Sequence, residues 1–393
     1  MNLRRTLVRC ALLGTTAIAA LAAGHEPATV TGRLGPWGQL RRTAFRLSPP
    51  VPVVADRPVR ANGQWRFTKP TWAEIDAELA SLTLSPARRA ALTDPARRSV
   101  DPTGTVRIID VPDDVRLELG PEARAHLYDL LAGQAGTSRY GIPFVLPPEA
   151  TIEKANLNPE LRARMRQLTF MRGDRRCIVD ADLLMPVVQT PEERVRLLRL
   201  LFSVRTLSVE LTRASLGRRD EAVAYWRQPS GKTADTVLRR FEQNPELASV
   251  DLQHLLPPLP QRLLNGFPDG ANCPAMANCF WSSLNFFAVT PDNRFLPDEK
   301  DDAAVMDVVV SSLQSGYRKV GPPYGFGDIL LYYSQDEEGI EPVHMAVYIA
   351  DDIVFTKNGI GIFSPFILAH RTDMEELYAW IGELEVQGYR KKK

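Results

Sequence analysis

Two residues of this chain have types and surroundings suited to covalent catalysis. Cys279 stands in Asn278-Cys279-Phe280-Trp281-Ser282-Ser283-Leu284-Asn285-Phe286-Phe287, a polar entry followed by an amphipathic run that reads as a helix. His344 opens His344-Met345-Ala346-Val347-Tyr348-Ile349, which reads as a β-strand. The nucleophile in thiol chemistry is the thiolate, and a free cysteine with a pKa of about 8.5 supplies little of it at neutral pH. A helix N-terminus favours the anion through its orphan amides and its dipole. A neighbouring imidazolium favours it further. The same amides, the backbone N–H of Cys279 among them, can hold the oxyanion of a tetrahedral intermediate. The histidine would protonate a leaving amine and then activate water. That work needs a rigid seat, which the start of a sheet strand provides. Taken singly, Cys279 reads as a buried small hydrophobe and His344 as a histidine satisfied by local backbone. Their order and flanks favour nucleophilic chemistry.

Other chemistries fit less well. Ser230-Gly231-Lys232-Thr233 looks like the end of a phosphate-binding loop, but that motif needs a glycine where Trp226 stands. A glycine-containing turn before a helix explains it better. Cys273 and Cys279 are spaced more widely than zinc ligands usually are, and no His-x₃₋₅-His accompanies them. No metal or organic cofactor is expected. Basic residues number 48 against 47 acidic ones, a net charge of +1, which predicts no large electrostatic drive toward nucleic acid or anionic lipid. The terminal Arg390-Lys391-Lys392-Lys393 reads as a solvated tail.

The N-terminus carries Arg4, Arg5 and Arg9, an apolar run from Ala11 to Ala23, and Ala20-Leu21-Ala22 as a cleavage signal. Residues 1–23 read as a secretory signal peptide, so the mature chain is expected to be exported, periplasmic or extracellular. The run is short for a transmembrane helix, and no stable membrane insertion is expected after its removal. Cleavage leaves Cys177, Cys273 and Cys279, an odd number. Either Cys177 pairs with Cys273 and Cys279 stays free, or all three are unpaired.

The 393 residues allow two domains, and 44% apolar with 24% charged residues is ordinary for a globular chain. Residues 24–69, rich in Pro, Arg and Gly, read as an extended linker with one or two short strands near Gln64-Trp65-Arg66-Phe67. Residues 70–262 read as a helix-rich domain. Thr71-Trp72-Ala73-Glu74 forms a capping box, and Ser85-Pro86 and Thr190-Pro191 mark further helix starts. The longest helix is expected from Pro191 to about Ser215, where apolar residues recur at helical spacing. Strands are expected near 105–111 and 142–146. The proline cluster Leu256-Pro257-Pro258-Leu259-Pro260 marks the boundary to residues 263–393. There a helix follows Cys279, another covers 301–315, and strands cover 329–333, 344–349 and 353–356, with Asp351-Asp352 as a hairpin turn.

Residues 270–370 resemble the NlpC/P60 superfamily, papain-like peptidases and amidases of bacterial cell envelopes. The likeness lies in the Cys279 helix, in Gly327-Asp328-Ile329-Leu330, and in His344-Met345-Ala346-Val347-Tyr348-Ile349 followed by a turn and a second strand. It departs where Asn278-Cys279-Phe280-Trp281 replaces the family's Asp-Cys-Ser-Gly, and where Phe267 stands near the usual position of an upstream tyrosine. The resemblance implies an α+β fold, with a helix packed on an antiparallel sheet. It implies amide cleavage through a thioester on Cys279, with His344 as acid and base and a peptide or peptidoglycan-like substrate. The family's third catalytic position, about a dozen residues after the histidine, falls at Thr356. Asn358 lies two further on and so on the same strand face, while Lys357 should point away. Asn358 is favoured as the residue that orients the imidazole, its carboxamide oxygen accepting the ring N–H, with Thr356 second. Gly327-Asp328 is read as a structural turn. Rival readings are a non-catalytic envelope binding or assembly protein on the same fold, and a thioester acyltransferase.

Overall fold

The computed structural model describes residues 29–392 apart from 60, 70, 135–137, 228–232, 298–301 and 337–338. The expected signal peptide and the Ser230-Gly231-Lys232 turn lie outside the described residues. The fold is α+β, with antiparallel sheets.

Residues 29–47, expected as linker, form a hairpin of Thr29–Gly35 and Gly38–Leu47. Gly35 pairs with Gly38 around Pro36-Trp37, and Gly38 takes a φ of 92°, which a side chain resists. The second strand pairs with Val204–Thr212, which pairs in turn with Ser249–Asp251. This corrects the long helix expected to reach Ser215. The helix is Pro191–Leu201, capped where Thr190 accepts from the amide of Glu193. Beyond it Leu207, Val209 and Leu211 are buried while Ser208, Glu210 and Thr212 are half-exposed. That is period-two alternation, and it belongs to a strand.

The capping box is present in full: Thr71 accepts from the amide of Glu74, and the Glu74 carboxylate accepts from the amide of Thr71. The strand at Gln64–Phe67 is where the sequence puts it, and short strands at Arg107–Asp110 and Phe144–Val145 lie within the expected stretches.

The C-terminal sheet has six antiparallel strands, in the order Tyr317–Val320, Glu385–Lys391, Ile329–Asp336, Gly339–Ala350, Ile353–Lys357, Phe366–His370. Asp351 and Asp352 make the two-residue turn between the fourth and fifth strands, with φ of 47° and 66°. Positive φ at both positions matches the right-handed twist of a hairpin, and aspartate tolerates it. The Gly327-Asp328 turn is structural, as expected. Gly327 has a φ of 83°, and the buried Asp328 carboxylate accepts from the amide of Gly325 (2.7 Å) and from Arg390 (2.7 and 2.6 Å).

The core that contains Cys279, Trp281, Val347 and Phe355 also takes in Trp37, Leu211, Trp226 and Leu263. Side chains from both sides of residue 262 therefore share one core. Two further cores lie within residues 54–201. Among the described residues no helix is long and apolar enough to cross a membrane.

Candidate active site

Cys279 is the first residue of the helix Cys279–Leu284. Asn278 caps it: its side-chain oxygen accepts from the amide of Trp281 at 2.9 Å, an orphan donor of the first turn. The Trp281 indole donates to Asn293 (3.1 Å), and Ser282 bonds the carbonyl of Cys279 (3.0 Å), so the helix start is held from both sides. The helix packs on the strands that carry His344 and Thr356.

The thiol is 8% exposed. Burial pushes it up to about 11, although the amides of Met345, Phe280 and Cys279 itself and the charge of Lys357 pull the other way. The sequence-based expectation of a thiol acidified by its helix is therefore corrected. A helix of six residues has little dipole to offer, and desolvation of the anion is the larger effect.

His344 is not at a strand start. It lies inside Gly339–Ala350, where the register against Ile329–Asp336 slips between Tyr332 and Tyr333. The imidazole is wholly buried, stacked on Tyr378 with centroids 4.6 Å apart and planes at 27°. Burial pushes it down to about 3. Its Nε2 lies 2.8 Å from the hydroxyl of Thr356, and that hydroxyl donates to the side-chain oxygen of Asn358 at 3.2 Å. The expectation that Asn358 itself accepts from the ring is corrected: Thr356 makes that contact, and Asn358 acts through the Thr356 hydroxyl. With its proton committed to Asn358, the Thr356 oxygen is the acceptor for His344. The imidazole must then be the Nε2–H tautomer. Its Nδ1 is left as a bare lone pair, buried and without a hydrogen-bond partner.

His344, Thr356 and Asn358 come together, whereas no hydrogen bond joins His344 to Cys279 among the described residues. Strand alternation shows why. Met345, Val347 and Phe355 face the Cys279 core, while Ala346, Val354 and Tyr378 form the core behind. His344 and Thr356 belong to the rear face by parity, and the thiol reaches the amide of Met345 next door. Tyr378 stacks on His344 and lies within electrostatic reach of Cys279.

Lys357 follows the same parity. It turns away from His344, as expected, but away means onto the Cys279 side. It is wholly buried, and its Nζ donates to the carbonyls of Gly359 and Gly361, both at 3.0 Å. The sequence signal for it is a charged residue closing a strand that is mostly apolar. Cys177, Cys273 and Cys279 are all free and buried, which removes the Cys177–Cys273 disulfide from the two cysteine arrangements. Cys177 and Cys273 belong to different cores. Among the described residues no group of three or more His, Cys, Asp and Glu side chains could hold a metal ion. No protein-family model matches the chain, nor does any curated protein or solved structure.

Proposed function

We propose that the chain is an exported cysteine hydrolase of papain-like, NlpC/P60-like type that cleaves an amide bond through a thioester on Cys279. The observation that carries this reading is the buried chain Asn358–Thr356–His344, which leaves Nδ1 as an unpartnered base on the strand against which the Cys279 helix packs. In the proposed cycle Nδ1 takes the thiol proton as sulfur attacks the carbonyl carbon. The amides of Cys279 and Phe280 steady the oxyanion. His344 then returns the proton to the leaving amine, and water, activated by the same nitrogen, hydrolyses the thioester. In the free protein the two groups lie on opposite faces of the strand, and burial holds the imidazole at about 3 and the thiol at about 11, so the cycle requires substrate binding to bring Nδ1 and the sulfur together. Cell-wall stem peptides are the proposed substrate class, on the strength of the sequence resemblance alone.

The test is hydrolysis of peptidoglycan stem peptides by the purified full chain and by Cys279→Ala. The variant should lose turnover by a factor of 10³ or more, in order of magnitude, while melting as the wild type does. Undiminished turnover on a substrate that the wild type cleaves would sink the proposal.

A specific observation favours a second reading. With Cys279 8% exposed, His344 wholly buried and Tyr378 stacked over the imidazole, the fold suits a non-catalytic envelope binding or assembly module. Failure of the wild type to turn over any stem peptide or transfer an acyl group to an added amine, with Cys279 inert to alkylation, would favour it.

A further inference from the structure

Lys357 carries a charge that its surroundings do not neutralise. A buried ammonium costs several kcal/mol unless it is paired. Among the described residues no carboxylate lies within ion-pair distance of Lys357, and carbonyls take two of its three N–H donors. It sits near the ring of Phe366, with Nζ 5.9 Å from the centroid. Phe355 and Phe366 on that face belong to the core of Cys279, and the Cys279 helix packs on the Lys357 strand. The groups of other elements that Lys357 faces electrostatically are two thiols, Cys273 from the loop before the helix and Cys279 from the helix itself.

We propose that Lys357 is the electrostatic partner of Cys279, its ammonium stabilising the thiolate as the thiol loses its proton. Its catalytic meaning rests on the hydrolase reading above; the charge pairing does not. Cys279 is favoured over Cys273 because it opens the helix that packs directly on the Lys357 strand, where the free first-turn amides would meet an anion. Burial pulls Lys357 down to about 8, so it still carries its proton at neutral pH. The thiol gains an ammonium on its own face of the sheet and, once the proton has moved, an imidazolium behind it. The strand Ile353–Lys357 would thus serve both halves of the site from adjacent residues, Thr356 toward His344 and Lys357 toward Cys279.

The experiment follows alkylation of each cysteine by iodoacetamide against pH, read by peptide mass spectrometry on the full chain. Wild type is compared with Lys357→Met, which keeps the volume, and Lys357→Arg, which keeps the charge. Lys357→Gln, whose amide can still serve the Gly359 and Gly361 carbonyls, stands in if the methionine variant does not fold. Loss of the charge should raise the midpoint for Cys279 by about one pH unit, slowing its alkylation roughly tenfold at fixed pH. Tyr378, a further titratable group in electrostatic reach of Cys279, is unchanged in these variants. An unmoved midpoint for Cys279, or a shift confined to Cys273, would overturn the proposal. The readout needs no substrate. A shifted midpoint with full turnover by Cys279→Ala would remove the hydrolase reading and leave the charge pairing standing.

Discussion

Two groups of buried polar side chains sit in different cores, and their valences are used differently. In the helix-rich region Arg116, Arg124 and Asp180 are sealed from solvent. The Asp180 carboxylate accepts from Arg116 (3.2 Å), from Arg124 (2.9 Å) and from the hydroxyl of Tyr128. Arg116 also reaches Asp182 (2.9 Å) and Asp113 (2.6 Å), and Arg124 donates to the carbonyls of Arg116 and Leu119. Apart from the two Nε–H groups, each charge has an opposite charge or a carbonyl against it. At the Cys279 site the reverse holds. Among the described residues the imidazole keeps an unpartnered Nδ1, the ammonium has carbonyl partners but no carboxylate, and the thiol is neutral. Closed networks rigidify a core. Open valences in a dry core cost stability without adding cohesion.

The largest effect should come from opening the closed network. Asp180→Ala would strand two buried guanidinium groups, and the expected loss is about 3–5 kcal/mol in denaturant unfolding, with alkylation of Cys279 unaltered in the folded protein. A loss below about 1 kcal/mol would erase the contrast between the regions, because the network would then be no more cohesive than the site.

The next effect reads the open site through pH. His344 falls from an ordinary value of 6.5 to about 3 on folding. Between those values the unfolded chain binds a proton that the folded chain refuses. Stability contributed by the neutral imidazole is therefore complete above 6.5 and is lost as pH falls toward 3. The slope is at most about 1.4 kcal/mol per pH unit. Subtracting the unfolding free energies of His344→Gln from those of the wild type across this range should isolate that slope. A difference that does not change with pH would mean that the imidazole is hydrated when folded.

How much of this was legible in the chain depended on whether the signal was local. Thr71-Trp72-Ala73-Glu74, Gln64–Phe67 and Asp351-Asp352 were read correctly because caps, short strands and tight turns are written in adjacent residues. The run after Leu201 reads as helix in the sequence because Leu207, Val209 and Leu211 fit a broad helical stripe as well as a strand, and the choice is made by pairing with Gly38–Leu47 more than 150 residues away. That hairpin was itself hidden in a stretch read as linker. Thr356 and Asn358 could be named from their distance to His344, but their order in a proton chain needed hydrogen-bond directions. The high thiol value and the role of Lys357 depend on burial from several elements, which spacing cannot convey.

The smallest effect in energy tests the site's logic most directly. Asn358 never touches His344; it fixes the direction of the Thr356 hydroxyl. In Asn358→Leu that hydroxyl is free to turn and donate to Nε2. The imidazole would then have to carry its proton on Nδ1, where no acceptor waits. The stability change should be modest, about 0.5–1.5 kcal/mol for one hydrogen bond. The chemical change should not be modest, because a protonated Nδ1 cannot accept the Cys279 proton. Nitrogen-15 NMR of labelled imidazole should report Nε2–H in the wild type and Nδ1–H in the variant, with turnover lost in step. If the variant keeps the Nε2–H tautomer and its activity, Thr356 alone orients the ring. Asn358 then belongs with the closed, structural groups of the helix-rich core rather than with the open ones around Cys279.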